Sequence, residues 1–140
     1  MKDLRIERDY KHYQITDLVL KSFFSVYNAL GYGFLEKVYE NAMVVELKKF
    51  DLNVQQQVPI NVYYEDIEVG FYIADLVINN LVIVELKAAE SICLEHEAQL
   101  TNYLRATDKE VGLLLNFGRN AQFKRKIFDN EFKSKTIKSY

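Results

Sequence analysis

Apolar and polar positions change rhythm several times along this chain, and each change marks an element. From about His12 to Leu30, Ile15, Leu18, Val19, Ser22, Phe23, Val26 and Leu30 recur at helical spacing, and Gly31 stands where a C-cap belongs. Beyond Gly31-Tyr32-Gly33 a second helix is predicted over about Phe34 to Phe50, with Leu35, Val38, Ala42 and Val45 as its buried stripe. Asp51-Leu52-Asn53 then turns the chain into a strand from about Val54 to Tyr64. Pro59 within it has no N–H to give, which predicts an edge or bulged strand. A strand from about Glu68 to Ile78 follows the Glu65-Asp66 turn, and a third runs from Leu81 to Lys87. Between these two, Asn79-Asn80 tolerates positive φ and suits a hairpin. A loop precedes a third helix over about Glu95 to Ala106, then a strand from Val111 to Phe117 and a short one from Gln122 to Phe128. The order ααβββαβ, with that short strand appended, predicts one α/β (α+β) domain.

Two of the strands break the alternation expected of a half-solvated sheet. Leu76–Ile78 and Leu81–Val84 are unbroken apolar runs, which suit strands covered on both faces. Charges there are costly unless paired or metal-bound, yet Asp75, Glu85 and Lys87 lie in or beside these runs. Period-two alternation puts Glu85 and Lys87 on one face, opposite Val84 and Leu86. Two carboxylates converging beside a lysine make a hard-oxygen site for Mg²⁺ or Mn²⁺, with a cation next to it. Such a site can activate a water and stabilise charge on a phosphate. Taken alone, Glu-x-Lys is more often the solvated face of an edge strand, and it is the apolar flanks that favour the site.

Register constrains the first reading. A two-residue loop would pair position 75 with 84 and turn Asp75 away from Glu85. Convergence therefore predicts an odd loop length, a bulge, or a strand bend near Asp75.

Composition narrows the class. With 140 residues, 49% apolar and 27% charged, the chain is sized for one globular domain of residues 1–140. The lone Cys93 excludes an internal disulfide framework, and two histidines with one cysteine argue against structural zinc. No apolar run approaches the ~20 residues of a membrane helix, and the charged N-terminus has no signal-peptide core, so a cytoplasmic protein is expected. Residues 1–10 read as a loose lead-in. Net charge is −2, but from Arg119 to the C-terminus seven basic residues face two acidic ones. That basic tail, about residues 129–140 with its approach, fits backbone contact to nucleic acid or simple solubilisation.

Four short motifs in order resemble a known family. Gly33-Phe34-Leu35-Glu36-Lys37-Val38-Tyr39 matches the pattern that names the GxxExxY proteins. Ile73-Ala74-Asp75, Val84-Glu85-Leu86-Lys87-Ala88 and His96-Glu97-Ala98-Gln99-Leu100 match their later motifs, so the resemblance spans roughly Ile15 to Lys126. That family is assigned to the PD-(D/E)XK nuclease-like superfamily; Ala74 stands where the superfamily's signature proline precedes the aspartate. The resemblance implies a restriction-endonuclease-like core, a central mixed β-sheet flanked by helices. It also implies that Asp75 and Glu85, joined by Glu36, hold Mg²⁺ or Mn²⁺, and that Lys87 orients the attacking water or stabilises the phosphate. Gln99 and Tyr103 resemble the Gln-x-x-x-Tyr helix motif that lines the active site of RecB-like nucleases. The function implied is a metal-dependent nuclease, on DNA ahead of RNA. A non-catalytic nucleic-acid-binding or protein-interaction module that keeps the fold is the alternative. Ten tyrosines and 14% aromatic content would suit an interaction surface or a homodimer.

Overall fold

A computed structural model describes residues 10–134 and residue 137. Most of the expected lead-in, and the tail beyond 134 apart from Ile137, lie outside the described residues. The elements are α1 (Tyr13–Leu30), α2 (Glu36–Lys48), β1 (Val54–Tyr64), β2 (Ile67–Ile78), β3 (Val82–Lys87), α3 (Leu94–Ala106), β4 (Val111–Phe117) and β5 (Ala121–Ile127). A 3₁₀ turn, Asn130–Phe132, follows.

The five strands form one mixed sheet in the order β1-β2-β3-β4-β5, and only β3 and β4 run parallel. A parallel neighbour requires a crossover, which α3 supplies. Both predicted layers of cover are present. Val19, Phe23 and Val26 of α1 and Tyr39, Met43 and Leu47 of α2 pack on one face against Leu76, Val84, Leu86 and Leu113. On the other face Leu100, Tyr103 and Leu104 of α3 pack against Val77, Ile83 and Leu114. All seven residues of β4 are buried, as an unbroken apolar run between two helical layers requires. Pro59 sits on β1, which is an edge strand, so its missing donor interrupts no ladder on that side.

The buried stripe of α2 differs from expectation. Leu35, Val38 and Val45 are exposed, and the helix buries Tyr39, Glu40, Met43 and Leu47 instead. Periodicity alone weights every apolar residue alike. The observed face is chosen by Tyr39, whose ring stacks on Phe117 with centroids 4.2 Å apart. Turning that line inward carries Glu40 into the interior with it.

The basic C-terminal stretch begins as structure rather than as free chain. Lys133 is buried, and its ammonium donates to the carbonyls of Thr107 (2.9 Å) and Lys109 (2.6 Å) just past the end of α3. Asp129 in turn accepts from Lys11 Nζ at 2.7 Å, tying the two ends of the described chain together.

Candidate active site

The β2–β3 connection has three residues, not two. Ile78 pairs with Val82, and Asn79 and Asn80 both adopt left-handed φ (51° and 56°). This is the odd loop length that convergence demanded. Continuing the register brings Asp75 opposite Glu85, but the ladder stops one step earlier, at Leu76 and Val84. Beyond that point β2 pairs only with β1, and β3 only with β4, so the sheet forks.

At the fork, side chains take over the hydrogen bonds that the backbone gives up. Asp75 N donates to Glu85 Oε1 (2.9 Å), and Leu86 N donates to Asp75 Oδ2 (2.9 Å). Both carboxylates are thereby held inside the split.

A second irregularity lies on β1. Val58 pairs with Ala74 and Gln56 with Leu76, which leaves Gln57 across from Asp75 with φ at +55°. A non-glycine residue in this region inside a strand stores strain. β2 rolls over at the same level: Ala74 packs in the α3-side cluster, whereas Leu76, two residues on, packs against α1 and α2. The expected bend near Asp75 is therefore also present.

Electrostatics follow from crowding. Burial pushes Glu85 up to about 8, and the neighbouring Asp75 carboxylate adds to the shift. Asp75 is also raised, first by burial and then by Glu40 and Glu36, while the Leu86 N–H and Lys87 oppose the change. Lys87 shares the Glu85 face of β3, and among the described residues no carboxylate pairs with its ammonium. Tyr103 on α3 is raised to about 12 by burial and by the charges of Glu85 and Asp75, with a Gln99 hydrogen bond working the other way.

A protonated Glu85 has a sign that can be worked out. Its folded pKa lies above the ordinary 4.5, so the folded state keeps a proton that the unfolded chain loses between 4.5 and about 8. Stability of the metal-free protein should fall as pH rises through that window and level off above it. Thermal melts in chelator at about pH 5 and about pH 9 test this: a lower Tm at the higher pH is expected, and Glu85→Gln should flatten the difference. Equal Tm values in wild type would mean that Glu85 ionises freely.

The helix side of the site explains the Gly-x-x-Glu-x-x-Tyr spacing. Gly33 has φ of +110°, which only glycine adopts without strain. Tyr39, fully buried, donates its hydroxyl to Gly31 O (2.6 Å) and accepts from Phe34 N (3.2 Å), closing the loop between those residues. Glu36 is thus fixed in the first turn of α2, where its carboxylate accepts from Ala88 N at 3.4 Å, just past the end of β3. Tyr39→Phe should cost about 1–2 kcal/mol in chemical denaturation. A loss within error would show that the hydroxyl bonds contribute nothing net.

Behind that loop, Asn116 holds Ala89 through its N–H and its C=O, both at 2.9 Å. A Cβ on Gly118 would lie 2.4 Å from Ala89 O, so glycine there allows the close approach. Lys87 and Glu36 therefore border a backbone segment anchored from below.

Sequence reasoning missed Glu40. It is 4% exposed and accepts from Gln57 Nε2 (2.7 Å), Gln56 Nε2 (2.7 Å) and Lys37 Nζ (3.0 Å). These donors satisfy a buried charge and tie α2 to the strained step of β1 opposite Asp75. Its position one turn after Glu36 was the available signal. The other candidates, Glu36, Asp75, Glu85, Lys87, Gln99 and Tyr103, do surround the fork, with α2 on one side and α3 on the other.

The donor set fits a hard divalent cation. Burial and the Asp75 carboxylate together disfavour ionisation of Glu85, and a cation between the two side chains would offset both effects. Among the described residues, no three His, Cys, Asp or Glu side chains form a closed ligand group. Mg²⁺ commonly binds through one or two carboxylates and keeps several waters, so two suffice.

A helix-flanked mixed sheet that splits at an Asp/Glu pair, with a lysine two residues on, is the arrangement of one nuclease superfamily. A family model described as PD-(D/E)XK nuclease superfamily matches residues 13–127, and the chain belongs to that superfamily. The sequence matches no curated protein. Among solved structures it is similar to one titled "Crystal structure of SSO0001", with TM-score 0.53 and 18% identity over 90% of this chain. The match spans 61% of that longer chain, and at this identity it speaks for the fold alone. Among the described residues, no helix is long and apolar enough to cross a membrane.

Proposed function

We propose that this protein is a metal-dependent phosphodiesterase that hydrolyses nucleic acid, DNA ahead of RNA. The observation that carries the reading is the exchange of bonds at the fork, where Asp75 and Glu85 each cap the other strand's backbone with Lys87 on the same strand face. Asp75 and Glu85 are the residues to hold Mg²⁺ or Mn²⁺, with Glu36 close enough through the Ala88 loop to join them. The ion's chemistry would be to acidify a water and neutralise charge on the phosphate.

The remaining roles belong to side chains. Lys87 brings a positive charge that is free among the described residues to the scissile phosphate's developing negative charge, or to the attacking water. Tyr103 stays protonated throughout the physiological range, since its hydroxyl is pushed to about 12. It is thus a hydrogen-bond donor and not a base. Gln99 orients it.

The test is a cleavage assay in Mn²⁺ and in Mg²⁺ on linear, circular, single-stranded and branched DNA and on RNA. Metal-dependent cleavage is expected. Inert protein that also fails to bind Mn²⁺ would sink the reading. It would favour a second one, an interaction module on the same fold. One observation supports that alternative: Phe71 and Ile73 stand exposed on one face of the distal β1–β2 hairpin, next to the exposed Val69 at the register shift. Such a stripe also suits a second copy of the chain.

A further inference from the structure

Beside the fork, on the α3 side of the sheet, lies a cavity of about 480 Å³ bordered by Tyr72, Gln99, Asn102, Tyr103, Arg105 and Ile137. Two of these residues, Gln99 and Tyr103, are also candidates for the active site, so the two regions adjoin at α3. Tyr103 serves both: its hydroxyl feels the charges of Glu85 and Asp75, and its ring forms part of the cavity wall.

The lining has a particular chemistry. Tyr72 is about half exposed (49%), and its ring lies 5.6 Å from that of Tyr103 at 46°, so two neighbouring aromatic rings border the cavity. Gln99 and Asn102 supply two amides along α3. Arg105, which donates to Asn102 Oδ1 at 3.3 Å, is the cation at the rim. A half-exposed tyrosine ring, two amides and mostly apolar walls suit a flat heteroaromatic ring with a polar edge. A phosphate fits less well, because the Glu95 carboxylate shares the lining with Arg105. The volume is in the range that holds a nucleoside-sized ligand.

We propose that this cavity seats one unstacked nucleobase of the substrate, next to the phosphate held at the fork. The inference rests on the nuclease reading above and narrows its substrate. A base inside an intact duplex is stacked on both faces and cannot enter, so the preferred substrate is single-stranded or locally opened nucleic acid. Tyr72 is the stacking platform, and Asn102 is a contact to the base edge.

The experiment measures binding in Ca²⁺, without turnover, of a short DNA single strand carrying one 2-aminopurine and of the matching duplex. Wild type should bind the single strand at least about ten-fold more tightly and quench the 2-aminopurine. Tyr72→Ala should lose roughly 5- to 100-fold of that affinity and the quenching, while Tyr72→Phe keeps both. Asn102→Ala, on an exposed position of α3, serves as the second variant and should weaken single-strand binding alone. Duplex bound as tightly as single strand, or Tyr72→Ala binding like wild type, would overturn the pocket and leave the nuclease reading standing. No nucleic acid bound by wild type, with Mn²⁺ also unbound, would overturn both.

Discussion

Lys87→Ala is expected to lower metal-dependent cleavage by roughly a hundred-fold or more, the usual consequence of removing one preorganised charge from a transition state. The fold should survive. Lys87 is the last residue of β3, is only partly buried, and among the described residues makes no ion pair whose loss would strand a partner. Single-turnover cleavage in Mn²⁺, run beside a thermal melt, separates the two effects. Activity that falls with an unchanged Tm assigns Lys87 to the chemistry. Unchanged activity removes it from the mechanism, and a fall in both would make it structural.

For Asp75→Asn the expected changes have opposite signs. Metal affinity should drop by about ten-fold or more, since one of two anionic ligands is gone. The metal-free protein should become more stable, because the substitution removes a carboxylate whose charge is disfavoured by burial and by the nearby Glu40 and Glu36. Asparagine still offers an oxygen to Leu86 N, so the strand bond at 2.9 Å has a replacement acceptor. Titration calorimetry with Mn²⁺ and melts in chelator read the two arms. An unaltered titration would sink the ligand assignment. A lowered apo Tm would mean that the carboxylate is a net stabiliser and that the strain attributed to the pair is absent. Stability given up at the fork is the pattern expected of a site built for a ligand that the bare chain lacks.

Much of this architecture was legible because local signals agreed with one another. The strands Val54–Tyr64 and Val111–Phe117 lie where alternation and apolar runs put them, and Pro59 correctly marked an edge. The hairpin shows how far register reasoning reaches. Parity alone established that Asp75 and Glu85 could meet only across an irregularity, and a three-residue loop and a bend are both present. Parity did not reveal that the ladder ends there, or that the two carboxylates replace its missing bonds.

What the sequence determined by itself was the order of elements, the strands that must be covered on both faces, and the residue types able to hold a hard cation. Those properties depend on neighbours within a few positions, and spacing carries them. Tertiary structure alone decided which face of α2 turned inward. Leu35, Val38 and Val45 are as apolar as Met43 and Leu47, and only the stacking of Tyr39 on Phe117 breaks the tie. The same choice buried Glu40 and brought it to Gln56 and Gln57, residues that no local pattern connects to it. It also decided the left-handed turn at Gln57 opposite Asp75, an unfavourable conformation that local preference argues against. Strain of that kind persists only when packing from several distant segments outweighs it, so one stretch of chain read alone does not disclose it.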